Sequence, residues 1–176
     1  MCTKIKEMMM RALTTAVSVT AILFAGAIFG FFYAWVCSTM WGLDQADPRV
    51  AIQAMQAMNA SVRNTVFFPA FFLTPVVMGL AAFLILRSGQ KTSAAFFGVG
   101  ALVYLALGLL LTAAINVPMN EALALVVVPK ELDAAREIWT DYSSRWQFWN
   151  QTRTIASGIA LALAGYGLAR LNPNRA

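Results

Sequence analysis

ALTTAVSVTAILFAGAIFGFFYAWVCSTMWGL, residues Ala12 to Leu43, contains no charged side chain. A helix needs about 20 apolar residues to cross the hydrocarbon core of a bilayer, so this run spans with tilt or carries a helical turn beyond the membrane. Lys4, Lys6 and Arg11 lead into it, as basic residues lead into a signal peptide, and Ala25-Gly26-Ala27 has the form of a cleavage site. The apolar stretch continues well past that point, which favours a retained helix. Within it Gly26, Gly30, Ala34 and Ser38 recur at every fourth position, leaving one face smooth enough for a second helix to approach closely.

Outward from this run the same pattern repeats. Spans are expected over about 13–41, 66–86, 94–117 and 154–171 of a single membrane domain, 1–176. Pro69 and Pro75 remove backbone donors from the second span and should bend it. The composition agrees, with 60% hydrophobic and 12% charged residues against about 25% charged in soluble domains. The expected fold is all-α: an integral membrane four-helix bundle with additional amphipathic helices on the non-cytoplasmic side.

Charge sets the orientation. Lys4, Lys6, Arg11, Arg87, Lys91, Arg170 and Arg175, seven of thirteen basic residues, sit at the two termini and in the gap between the second and third spans, with Glu7 the one acid among them. The positive-inside rule places both termini in the cytoplasm; the expected location is a bacterial inner membrane. The net charge of +5 is spread over span ends and forms no basic stripe with interleaved aromatics, so nucleic-acid binding is set aside. The absence of histidine excludes His-ligated haem, histidine–zinc sites and a Ser-His-Asp triad. Cys2 in the basic tail and Cys37 in the first span are too separated to suggest a disulfide, and they read as a free thiol and a small buried hydrophobe.

The longer connections read as helical. DPRVAIQAMQAMNASVRN opens with Asp47 as an N-cap and Pro48 at the first helical position. The other connection breaks at Pro129 and then becomes a charged amphipathic stretch that flows into the fourth span, with Asp133, Arg136 and Glu137 as a solvated face.

Polar side chains are expensive in hydrocarbon and are expected to face a partner or a cavity. Three clusters map to one end of the bundle: Asn59, Arg63 and Asn64; Asn116, Asn120 and Glu121 around Pro118; and Trp146, Asn150, Arg153 and Ser157 along one helical face. Each has a structural reading. Tryptophans form interfacial belts, which suits Trp149, arginines snorkel to headgroups, and asparagines satisfy kinked backbone. Three clusters at one depth favour a shared polar pocket, with Glu121 as the carboxylate for Arg153 or Arg63. Phe29–Tyr33 and Phe67–Phe72 face lipid, pack between helices or line an apolar cavity. Met55 and Met58 read as core filler, not as a copper site.

AMQAMNASVRN (54–64), Asn116-Val-Pro-Met-Asn-Glu121 and Trp146-x-x-x-Asn150-x-x-Arg153, in that order along nearly the whole chain, resemble the anthrone oxygenase family of small four-helix membrane proteins. The resemblance implies an oxidoreductase that converts an anthrone, a fused-ring phenolic ketone, to the quinone with dioxygen and with no metal or flavin. Such a substrate has an acidic benzylic carbon, and its carbanion can pass an electron to dioxygen directly. The protein then supplies a base, donors for the enolate oxygen and a water-poor cavity. In this chain Glu121 is the candidate base. Arg153, Asn116, Asn120 and Asn150 are candidate donors, Trp146 is placed to stack on a flat ring, and Asn59 and Arg63 are candidate substrate contacts.

The competing reading is a non-catalytic membrane protein that binds or transports a small hydrophobic molecule, or a subunit of a membrane complex. Both readings take the lipid bilayer and a small hydrophobic ligand as partners and leave a homo-oligomer open. A cavity of about 300 Å³ or more favours ligand binding over a purely structural role.

Overall fold

The computed structural model describes residues 2–172, with side chains from Lys4 onward; the Cys2 thiol and Arg175 lie outside the described residues. Among those residues the chain is all-α, with no strand. Helix α1 (Cys2–Ala34) runs through a π-helical segment (Trp35–Thr39) into α2 (Met40–Gln45). At 1.5 Å per residue the 42 residues of Lys4–Gln45 reach about 63 Å. That is twice the hydrocarbon thickness, more length than a single crossing needs.

Asp47 caps α3 (Pro48–Ser61), accepting the Arg49 N–H at 2.9 Å, with Pro48 in the first turn. The Arg49 guanidinium also hydrogen-bonds that carboxylate and holds its pKa down at about 2, so the cap stays ionised. Helix α4 (Phe67–Arg87) ends at Gly89, whose φ of 81° suits a residue without a Cβ. Helix α5 (Lys91–Val103) continues through two π-helical segments, Tyr104–Leu110 and Thr112–Asn116, into α6 (Val117–Ala124). The break expected at Pro129 follows, and then α7 (Leu132–Ala169).

Three helices are long and apolar enough to cross a membrane: Lys4–Gln45, Phe67–Arg87 and Lys91–Ala124. The region expected as a fourth span, 154–171, falls in the C-terminal part of α7, a helix of 38 residues. It does not reach the same apolarity, because Arg153, Thr154 and Ser157 stand where its apolar part begins. The four long helices nonetheless form a closed ring, in which α1 and α5 each pack on both α4 and α7. Ile28, Phe32, Met78, Ile85, Phe97 and Tyr104 fill its core. Gly100 lets α5 sit close, since a Cβ there would lie 3.1 Å from the Ala160 carbonyl oxygen of α7.

Pro75 lies inside α4 and has no N–H to give the Phe71 carbonyl four residues earlier. Tyr104 supplies the missing donor: its hydroxyl lies 2.9 Å from the Phe71 oxygen, with the whole side chain buried. Tyr104→Phe should therefore cost about 1–3 kcal/mol, the penalty of an orphaned buried carbonyl, read as a lower thermal midpoint in detergent.

Two expectations about the first span are corrected. Among the described residues nothing beyond the adjoining backbone lies within 4 Å of a Cβ placed on Gly26 or Gly30, and Ala34 and Ser38 are exposed, so the smooth stripe packs against no other described helix. Cys37 is exposed and not a buried hydrophobe, because it sits on that same outward face.

Beyond the ring the connections build a second core, in which Met40, Ile52, Met55, Trp139, Tyr142 and Trp146 are buried together. Asp44 of α2 fastens this cap to α7. Its carboxylate accepts the Trp139 indole N–H at 2.9 Å, the Ser143 hydroxyl at 2.7 Å and the Gln147 amide at 2.8 Å. Gln56 of α3 donates to the Leu123 and Val126 carbonyls at 2.8 and 2.9 Å, tying down the end of α6. Asp44→Ala strands two buried donors, Trp139 and Ser143, and should cost about 2 kcal/mol. Asp44→Asn, which keeps an oxygen for both, should cost less, and limited proteolysis of the cap will rank the two variants.

Candidate functional site

A cavity of about 760 Å³ lies where the two cores meet, well inside the range of small-molecule sites, about 300–1,000 Å³. Eight of the lining residues are aromatic, among them Phe31, Phe32 and Trp35 from α1 and its π-helical continuation, Phe67 and Phe71 from α4, and Trp146 from α7. Exposed lining residues mark the mouth, with Arg63, Asn64 and Val66 on the α3–α4 turn and Glu121 on α6. Asn64 shapes that rim by accepting the N–H groups of Val66 and Phe67 at 2.9 Å each, which caps α4. Arg63 and Glu121 pair across it at 3.4 Å with more than half of each side chain exposed, so the pair contributes little to stability.

Arg153 is the polar feature inside. It is 5% exposed and faces the cavity between two rings, its guanidinium carbon 4.5 Å from the Phe32 centroid and 5.3 Å from that of Trp146. Nη2 donates to Asn150 Oδ1 at 2.9 Å and Nη1 to Thr112 Oγ1 at 3.3 Å, while Nε is buried with no partner. Among the described residues no carboxylate pairs with it; of the two partners expected for Glu121, Arg153 and Arg63, the structure gives it Arg63 at the rim. Burying a cation costs several kcal/mol, and each ring contact returns about 2 kcal/mol. The positive charge is thus only partly compensated by the protein.

The remaining candidates divide into two groups. Asn59, Arg63, Asn120, Glu121, Trp146 and Arg153 all line the cavity, whereas Asn116 and Asn150 do not. Asn150 turns both amide atoms to protein: Nδ2 donates to the Phe32 carbonyl at 3.1 Å, and Oδ1 accepts from Arg153. It contacts the guanidinium and does not reach the cavity wall. Asn116 is fully buried with neither amide atom partnered, one turn from Thr112 and one turn from Asn120, both of which line the cavity.

Asn120 is held by a network that sequence reading missed. Its Oδ1 accepts both the Trp146 indole N–H at 3.1 Å and the Tyr142 hydroxyl at 2.8 Å, and Asn59 donates to that hydroxyl at 3.3 Å. An indole nitrogen only donates, which fixes the amide: oxygen toward Trp146 and Tyr142, Nδ2 left as a donor. Burial pushes the Tyr142 hydroxyl's pKa up, so it remains a donor through the physiological range. Thr112 was legible, standing four residues before Asn116 on the same helix; Phe32 and Tyr142 carried no local signal. The π-helical turn Thr112–Asn116 lies just before Pro118, where the missing N–H leaves the helix free to widen, and such turns concentrate at functional sites.

The fold and the cavity define the class: an all-helical protein with helices able to cross a membrane, enclosing an aromatic chamber with a buried arginine. The particular kind follows from comparison with known families. The family model described as anthrone oxygenase matches residues 58–163, which contain all six candidates that line the cavity, and the chain belongs to that family. No curated protein and no solved structure matches the chain.

Proposed function

We propose that this protein is a membrane-embedded oxidoreductase that uses dioxygen to oxidise a lipophilic phenolic, anthrone-like compound held in the cavity. Family membership supports the reaction class. The observation that carries the reading is Arg153: a buried cation facing an aromatic chamber with no carboxylate partner, suited to the oxygen of an enolate.

The flat substrate lies against Trp146, with its carbonyl oxygen toward Arg153 and the Asn120 Nδ2. Glu121 at the mouth takes one benzylic proton, and the enolate passes one electron to dioxygen. The substrate radical and superoxide join through a new carbon–oxygen bond, and the resulting peroxide takes up a proton. Loss of the second benzylic proton and cleavage of the O–O bond then leave a carbonyl and one water. Four electrons leave the methylene carbon and reduce one dioxygen, so this route calls on neither metal nor flavin.

The C-terminal part of α7 completes the membrane domain as a fourth span, and both termini face the cytoplasm of a bacterial inner membrane; the basic residues at the span ends support this orientation. Purified protein in lipid nanodiscs, given an anthrone and oxygen, should form the quinone by absorbance. Glu121→Gln should lower kcat about 100-fold. Saturable binding with turnover no faster than in empty nanodiscs would replace the oxidoreductase with a carrier of small hydrophobic molecules.

A further inference from the structure

We propose that the cavity binds its ligand as an aromatic oxyanion, ionising a phenol or enol that is neutral in water at the same pH. The inference takes the aromatic character of the ligand from the proposed function but does not need turnover. Arg153 has five N–H donors, and the protein engages only Nη1 and Nη2, leaving Nε buried and unpartnered. Asn150 holds the guanidinium with an amide that is itself anchored on the Phe32 carbonyl, and the Phe32 and Trp146 rings cover it. The group is therefore fixed in place while its charge stays open to a ligand.

Trp146 connects this cation to a second donor. One ring lies 5.3 Å from the guanidinium carbon and also gives its N–H to Asn120 at 3.1 Å. Because Asn120 Oδ1 already accepts two hydrogen bonds, Nδ2 is the end left for a ligand oxygen. A ring on the Trp146 face thus meets a cation and an amide donor and no buried carboxylate. The other charged or titratable groups nearby are Arg63 and Glu121, paired at the exposed rim, and the phenols of Tyr104 and Tyr142. On binding, the ligand O–H bond breaks, its electron pair stays on oxygen and the proton leaves through the mouth to water. The resulting anion supplies the charge that the protein leaves unmatched.

The probe is 2-naphthol, whose neutral and ionised forms absorb differently, added to the full chain in nanodiscs with empty nanodiscs as the blank. At a pH where free naphthol is neutral, the bound probe should show the naphtholate spectrum. Ionisation in the site should be favoured by about tenfold or more, as an opposite charge in contact produces. Arg153→Met should bind naphthol in its neutral form while keeping its affinity for 2-methoxynaphthalene, which cannot ionise and shows that the chamber is intact.

A neutral spectrum for naphthol bound to the unaltered protein, or no saturable naphthol binding, overturns the inference, and that result stands even if the variant does not fold. A naphtholate spectrum that persists in Arg153→Met overturns it as well. The two readings fail separately: naphtholate without anthrone oxidation removes the oxidoreductase and keeps the anion site, and oxidation with neutral naphthol does the reverse.

Discussion

Arg153→Met is expected to lower the rate of anthrone oxidation by at least about 100-fold, the order lost when a single donor to a developing oxyanion is removed. Stability should move differently. The arginine is 5% exposed and has no carboxylate partner, and an apolar side chain of similar length is often as stable as a buried ion or more so. Against that gain stands the loss of a donor to Asn150 Oδ1, worth about 1–3 kcal/mol. The thermal midpoint should therefore stay within a few degrees of the parent while activity collapses. A residue that costs the fold and serves the chemistry shows this separation. A large fall in midpoint together with retained activity would make Arg153 a structural residue and end the proposed mechanism.

Trp146→Ala should be among the most damaging single changes to the fold. The indole is buried in the cap core, packs on Trp35 at 5.1 Å between centroids, covers Arg153 and hydrogen-bonds Asn120. Truncating a buried aromatic costs about 3–5 kcal/mol, and here the void would open where the two cores join. Trp146→Phe separates packing from polarity. It keeps a ring and removes the N–H that fixes the Asn120 amide, so stability should fall by about 1 kcal/mol. If Asn120 orients the substrate, kcat/KM should fall about tenfold beyond any loss of folded protein; an unchanged value would remove Asn120 from the site. Thermal unfolding and turnover measured on the same preparations resolve the two effects.

The sequence alone determined the helices and the depth at which polar groups gather. An uncharged run such as Ala12–Leu43 has few alternatives in water or lipid, and Asp47-Pro48 starts a helix through contacts made within three residues. Spacing also placed Asn120, Glu121, Trp146 and Arg153 at one end of the molecule, where the cavity forms. These features depend on local backbone geometry and on the cost of polar atoms in hydrocarbon, both of which are carried by the residues themselves.

Partner choice was decided only by the tertiary structure. Glu121 pairs with Arg63 rather than Arg153, Asn150 turns to the Phe32 carbonyl 118 positions away, and Asp44 gathers three donors from α7. Tyr104 fills the vacancy left by Pro75 from another helix, although the vacancy itself was visible in the sequence. Such choices depend on how α1, α4, α5 and α7 rotate and slide as they pack. A side chain reaches whichever partner that packing brings within about 3 Å, and no local spacing encodes the distance.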